Sequence, residues 1–369
     1  MTGLRSTLGK LFGGSKVEIE GAPAAELSVA PESAEQIAGI LDFASEHGLI
    51  VLPWGSGLHQ GFGGRIDPDV VISTSRLAGV TEWNPDDLTV VAGSGTTLAA
   101  LDDEISSRRQ SAVLPERAID ATVGGVVAAG VSGWRRLRYG PSRDRLLQVE
   151  FVTGDGRVVT GGARVVKNVT GYDLPRLITG SFGSLGIITV VCFKLWPLPE
   201  AAATVTTDDP ERALAICHRP QAILETQDGI SVYLAGTAAE VDAQVGALAG
   251  ETSAGHSWPD EPTDECVVRI RVVPVDVSSV VTRLDEDYFV AAHGTGEIVA
   301  AVDPGKIGGL REWAEMNGGS VVIERAPDAV YEEIDPWGKP PETTELQRRI
   351  KGAFDPLRVL VPGRLPGGV

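Results

Sequence analysis

The stretch PWGSGLHQGFGG, Pro53–Gly64, follows an apolar run, LIVLP. Glycine fills five of its twelve positions, a large amount of bare backbone to place straight after a buried strand. Glycine lacks a Cβ and accepts positive φ, so other atoms can approach its main chain closely. Successive N–H groups in such a turn can converge on one concavity, an arrangement suited to phosphate. Alone, the stretch reads equally well as a flexible surface loop. It is not a dinucleotide G-x-G-x-x-G fingerprint, because Gln60 stands where the third glycine is needed. No G-K-[ST] follows, which excludes a P-loop.

Working outward, SAEQIAGILDFASEHG at 33–48 predicts a helix. Ser33 and Gln36 suit a capping box, Ile37, Ile40, Leu41 and Ala44 form a stripe, and Gly48 ends it. A strand at Leu49–Pro53, the Gly-rich turn and a second apolar strand, VVIS at 70–73, complete a β-α-β arrangement with the turn where α/β ligands commonly sit. LTVVAGSG at 88–95 reads as a strand and precedes a helix carrying Leu98, Leu101 and Ile105. Asp155-Gly156 between β-branched runs predicts a hairpin over 148–162. The strand GIITVVCFKLWP closes this half near 197, and LPEAAATVTTDDP reads as a boundary at 198–208. Beyond it, strands at 221–225, 229–234, 266–273, 288–293, 296–302 and 319–325 alternate with helices near 209–218, 237–249, 276–285 and 305–316. That order suggests helices on one face of a mainly antiparallel sheet. A last helix near 342–354 leads into DPLRVLVPGRL.

Composition narrows the function. The chain of 369 residues has room for two domains, and its net charge of −18 argues against nucleic acid or an anionic membrane as partner. No apolar run approaches the length of a membrane span, and the N-terminal MTGLRSTLGKLFGG lacks the features of a secretion signal, so a cytoplasmic location is expected. Cys192, Cys217 and Cys266 are far apart without C-x-x-C spacing, and the five histidines are scattered. No metal or iron–sulfur site is expected from this chain.

Two further glycine clusters, ATVGGVVAAGVSG at 121–133 and GSFGSLGIIT at 180–189, lie beside apolar strands. Three such turns fit backbone closing around one long ligand that carries a diphosphate. The order P-x-G-x-G, then A-T-V-G-G and Y-G-P-S-R-D, the Asp-Gly hairpin, and K-N-V-x-G-Y-D-L running on to G-S-x-G-x-L-G-I-I-T resembles the FAD-binding domain of the vanillyl-alcohol oxidase/p-cresol methylhydroxylase (PCMH) superfamily. HGTGEIVA at 293–300, VVIERAP at 321–327, DPWG at 335–338 and the closing RRIKGAFDP and VPGRL extend the likeness to the GlcE-type subunit of bacterial glycolate oxidase.

This resemblance implies an α+β fold: a two-subdomain PCMH-type FAD-binding domain over 1–197, a cap domain with an antiparallel sheet over 198–340, and a helix and tail over 341–369 returning to the first domain. It implies that Pro53, Gly55, Ser56, Gly57, Leu58, His59 and Gln60 form the loop holding the FAD diphosphate through main-chain N–H groups. Thr122, Gly124 and Gly125 would line the ribityl and diphosphate side, with Gly133, Tyr139 and Gly140 completing the wall. Gly186, Ile187 and Ile188 would flank the adenosine at an exposed strand edge. Leu58 stands where many relatives carry a covalent flavin-linking histidine, and His59 falls one position late, so non-covalent FAD is expected. Val361 replaces the asparagine usual in the closing motif.

Oxidation of a small 2-hydroxy acid such as glycolate is the implied activity. The electrons would go to a GlcD-like second flavoprotein and a GlcF-like iron–sulfur subunit. The alternatives are a self-sufficient flavin oxidoreductase and a non-catalytic, FAD-containing relay subunit. Arg325 and His293 end apolar strands and are the candidates for substrate carboxylate and base, set against plain surface and strand-end roles. Asp173 and Lys167 read as a structural pair, and Trp134, Trp196, Trp258 and Trp337 as core or interface residues.

Overall fold

The computed structural model describes residues 18–116, 118–165 and 171–369. Lys167 and the N-terminal segment 1–17 lie outside the described residues. The chain opens with β1 (Leu27–Val29), α1 (Ala34–His47), β2 (Val51–Trp54) and β3 (Val70–Ser73), and the strands form a parallel sheet in the order β1-β3-β2. α1 begins where Ser33 Oγ accepts from Gln36 N, and ends where Gly48 takes φ +64°. The Gln36 side chain accepts from Glu32 N, one residue earlier than a capping box requires. Ile37, Ile40, Leu41 and Ala44 are buried against Val51, Val70, Ile72 and Ile187, the 3.6-residue stripe meeting the sheet.

The next elements are β4 (Val80–Asn84), β5 (Thr89–Gly93), α2 (Leu98–Ser106), β6 (Gln110–Ser111), α3 (Val123–Ala129), α4 (Arg136–Tyr139), β7 (Leu146–Val152), β8 (Val158–Gly162), α5 (Leu174–Ile178), β9 (Ile187–Lys194) and β10 (Trp196–Pro197). Five of these strands form an antiparallel sheet in the order β4-β5-β9-β7-β8. Alternate residues Val90, Ala92, Val149, Phe151, Val191 and Phe193 pack beneath Leu98, Leu101, Ile105, Val123, Val126 and Val127. Each large apolar side chain buried there contributes about 1.5–3 kcal/mol. β9 pairs with β7 from Ile187 onward but with β5 only over Val190–Lys194, so Ile187 and Ile188 are paired on the β7 side alone.

The second half holds β11 (Ala201–Thr207), α6 (Pro210–Ile216), β12 (Ala222–Thr226), β13 (Gly229–Gly236), α7 (Ala238–Leu248), β14 (Thr252–Ala254), β15 (Val267–Arg271), α8 (Val277–Leu284), β16 (Phe289–Ala292), β17 (Glu297–Ala301), α9 (Ile307–Met316) and β18 (Ser320–Arg325). Its antiparallel sheet runs β14-β11-β13-β12-β16-β17-β15-β18. β11 lies within the stretch read as a boundary. The alanine- and threonine-rich segment lacks apolar alternation, yet it is held by full pairing with β13. One sheet face, with Val205, Val232, Val268 and Ile298, packs under α6–α9. The opposite face, with Leu224, Tyr233, Val290 and Val299, meets Trp134 of the first half.

After α10 (Asp328–Glu333) and α11 (Thr344–Phe354), the chain returns beside β2, where Val51 N donates to Val359 O and Val361 N donates to Val51 O. A buried ion pair pins this return. Lys351 Nζ lies 2.5 Å from Asp355 Oδ2, 2.6 Å from Leu360 O and 2.7 Å from Ser184 O. Asp355 in turn accepts from the Val359 and Leu360 amides.

Candidate functional site

The loop between β2 and β3 is shaped by close approaches that only glycine allows. A Cβ at Gly57, where φ is +84°, would lie 2.6 Å from the Trp54 ring. A Cβ at Gly55 would collide with Thr122 Oγ1, the N-cap of α3, which accepts from Gly125 N. Gly124 meets the backbone and side chain of Ser94 just as tightly. Gln60 staples the loop by donating from Nε2 to Pro53 O at 2.9 Å. Between this loop, α3 and the start of β9 runs a cleft of ≈ 640 Å³.

The polar atoms in the cleft indicate what it holds. Both ring nitrogens of His59, Ser94 Oγ and Arg364 Nε are buried there without a hydrogen-bond partner among the described residues. Burial pushes His59 down to about 4, so its imidazole is neutral at physiological pH. Arg364 is 3% exposed and donates from Nη2 to Gln60 O. Burial lowers it to about 10, and among the described residues it has no ion-pair partner. A buried guanidinium without a counter-anion is costly, and a diphosphate in the cleft would supply one. The close-packed glycines, the orphaned donors and the unpaired cation fit FAD.

At Ala129 and Phe182 the cleft meets a second space, a basin of ≈ 960 Å³ between the two halves. Arg136 and Arg143 reach it from the first half, and Arg269 and Arg271 from β15. The alternation in VVRIR turns Val268 and Ile270 to the helices and both arginines to the basin side. Glu297 lies among them: its carboxylate is 2.8 Å from Arg136 Nη1, 2.5 Å from Arg269 Nη1 and 3.5 Å from Arg271 Nε. Burial raises the Glu297 pKa, but Arg269, Arg271 and Arg136 outweigh it and hold the group below the usual carboxylate range. Arg269 also meets Glu324 at 2.8 Å.

Of the residues expected around FAD, Pro53, Gly55, Ser56, Gly57, Leu58, His59, Gln60, Gly124, Gly125, Gly186 and Ile188 line the cleft. Thr122 lies behind it as the helix cap. Ile187 points away, into the core beneath α1. Gly133 packs on Glu116, Tyr139 stacks edge-on against Trp196, and the Gly140 carbonyl accepts from Arg145. None of these last three lines the cleft or the basin. Arg325 donates to the Asp264 and Pro262 carbonyls, and His293 Nε2 is 2.7 Å from Glu225 Oε2; neither lines either space. Asp173 caps α5 and pairs with Arg176.

Sequence reading did not single out Arg364, Ser94 or the four basin arginines. The Arg-x-Arg alternation in β15 was the available signal, since it places two charges on one face of an otherwise apolar strand.

Residues 25–162 match the FAD binding domain family. The chain is 35% identical over 171 residues to a D-lactate dehydrogenase of Archaeoglobus fulgidus, across 46% of this chain and 38% of that one. It is 32% identical over 195 residues to glycolate oxidase subunit GlcE of Escherichia coli (49% and 54%). It is 31% identical over 180 residues to glycolate oxidase subunit GlcD of Bacillus subtilis (48% and 38%). The matches span about half or less of these relatives' length. In fold, alkyldihydroxyacetonephosphate synthase superposes with a TM-score of 0.62 at 15% identity, over 91% of this chain and 75% of that one. Residues 25–162 are thus similar to FAD-binding domains, and the chain shares the fold of alkyldihydroxyacetonephosphate synthase over most of its length.

Proposed function

We propose that this chain is the FAD-binding subunit of a glycolate-oxidase-like complex and oxidises a small 2-hydroxy acid, such as glycolate or D-lactate, to the 2-oxo acid. The observation that carries this reading is the arginine-lined basin meeting the dinucleotide cleft. An anionic substrate is repelled by a chain of net charge −18 unless a local positive field draws it in. Guanidinium groups match a carboxylate in shape as well as charge.

The main-chain N–H groups of the Gly55–Gln60 loop and the Arg364 guanidinium would hold the diphosphate, and Gly124 and Gly125 would admit the dinucleotide beside α3. With no histidine at position 58 the FAD is held non-covalently. Bound FAD would supply a two-electron acceptor for the hydride from the carbinol carbon, with the hydroxyl proton passing to solvent. The arginines hold the substrate carboxylate in the basin, so that this carbon stays oriented for transfer.

Cys192, Cys217 and Cys266 are buried and separate, and among the described residues no His/Cys/Asp/Glu grouping could hold a metal. Electrons would therefore pass to partners, a second flavoprotein and an iron–sulfur protein. The two relatives named as glycolate oxidase subunits support an assembly of this kind. Among the described residues no helix is long and apolar enough to cross a membrane, and the proposed location is the cytoplasm, with any membrane association made through the partners.

The test is the visible spectrum of the FAD-loaded chain, held without oxygen, before and after adding glycolate or D-lactate. Bleaching by either acid supports the reading. A flavin that stays oxidised both alone and with co-purified partners would refute it and favour a non-catalytic relay.

A further inference from the structure

The four basin arginines are not equivalent. Arg269 is 5% exposed and saturated by Glu297 and Glu324. Arg136 is bonded to Glu297 at 2.8 Å. Arg271 touches Glu297 only through Nε, at 3.5 Å, and its side chain is 52% exposed. Its terminal amino groups have no acidic partner among the described residues. Arg143, also half-exposed, has among the described residues only a 3.9 Å approach to Asp144, whose Oδ1 is already engaged by Arg176 at 2.9 Å. One of these two under-used guanidiniums comes from the turn after α4 and the other from β15, so they face the basin from its two walls.

We propose that Arg143 and Arg271 form a two-sided clamp for the carboxylate of the substrate, and that Glu297 is the positioning residue that aims Arg271. The proposal rests on the 2-hydroxy-acid reading given above. Glu297 is anionic, 5% exposed and surrounded by three guanidiniums, so it cannot itself take an anion. It joins Arg136 of the first half to Arg269 and Arg271 of the cap sheet, which fixes both walls of the basin in one arrangement. The planar fork of each clamp arginine can present two N–H groups to a carboxylate, and charge-assisted bonds of this kind are the strong ones.

The test uses FAD-loaded protein and oxalate, an unreactive planar dicarboxylate, with its binding read from the change in flavin absorbance. Flavin content and far-UV circular dichroism establish first that each variant is folded and loaded. Arg271→Met and Arg143→Met are expected to raise the oxalate Kd about tenfold or more each, as loss of a charged hydrogen-bonding partner does. Arg271→Lys and Arg143→Lys, which keep the charge, recover part of that loss and stand in if a methionine variant fails to fold. Glu297→Gln raises Kd several-fold, and Glu297→Asp raises it less. Arg325→Met, outside the basin, stays within twofold of wild type.

The clamp is overturned if wild type does not bind oxalate, or if both methionine variants bind it within twofold of wild type. It is also overturned if Arg325→Met alone weakens binding. The two readings separate in reduction experiments. If glycolate or D-lactate bleaches wild type and the Arg143 and Arg271 variants at the same half-saturating concentration, the clamp fails while the 2-hydroxy-acid reading stands. If neither acid bleaches wild type although oxalate binds through both arginines, the clamp stands and the choice of substrate fails.

Discussion

Replacing Lys351 with methionine should unfasten the return of the chain to the first sheet. The Lys351 side chain is 5% exposed and that of Asp355 fully buried, and the ammonium donates to the Asp355 carboxylate, Ser184 O and Leu360 O. Methionine fills a similar volume but leaves a buried carboxylate with two amide donors and no cation. Breaking a buried pair from one side costs about 3–5 kcal/mol. The double variant Lys351→Met/Asp355→Asn removes the stranded charge and keeps one oxygen, which accepts from either Val359 N or Leu360 N, so it should recover about 1–2 kcal/mol of that loss. The assay is urea unfolding of the FAD-free chain, followed by tryptophan fluorescence and far-UV circular dichroism. A single variant within about 1 kcal/mol of wild type would refute the reasoning, as would a double variant weaker than the single one.

Further outcomes follow from the cleft. Gly124→Ala places a methyl 2.7 Å from Ser94 Cβ and 2.9 Å from its carbonyl oxygen; it should cost about 1–3 kcal/mol and lower FAD content, measured by unfolding and by the flavin-to-protein absorbance ratio. His59 is held by burial at about 4, below its ordinary 6.5. The unfolded chain then binds more protons between these values, so the His59 contribution is complete above pH 6.5 and is lost as pH falls towards 4. In the FAD-free protein, the stability gap between wild type and His59→Gln should therefore change with pH across that window and level off above it, measured by urea midpoints. Acid precipitation of the loaded chain should release all of its yellow colour into the supernatant, if Leu58 occupies the flavin-linking position as the resemblance implies. Colour retained in the pellet would contradict non-covalent binding.

The Gly-rich loop was legible because glycine spacing reports directly on close backbone approach, and Gly55 and Gly57 sit against Thr122 and Trp54. The strands and helices of the second half were legible because short apolar runs such as FVAA at 289–292 alternate with amphipathic stretches such as Val277–Leu284. β11 was hidden because Ala201–Thr207 carries little apolar alternation and owes its strand to β13, a partner distant in sequence. The basin was hidden for a different reason. Arg136 and Glu297 are 161 positions apart and meet only after two sheets have formed and packed. Strand-end position pointed to Arg325 and His293, but a strand end says nothing about which way the cleft opens. Arg364 lay in the closing VPGRL motif, where the departure noted was Val361 in place of asparagine, and its burial without a counter-anion is a tertiary property.

The tail pinned beside β2 has a consequence in time. The diphosphate loop emerges early in synthesis, yet Arg364 and the Leu360 bridge to Val51 are made some three hundred residues later. The nascent chain can close its first sheet and still lack the cation that, on the function proposed above, would hold the cofactor. FAD capture then waits for the tail, so the order of synthesis ties loading to a chain whose two halves have already come together. A chain arrested on the ribosome near residue 340 should hold FAD weakly, and release past residue 364 should restore binding without refolding of the first sheet.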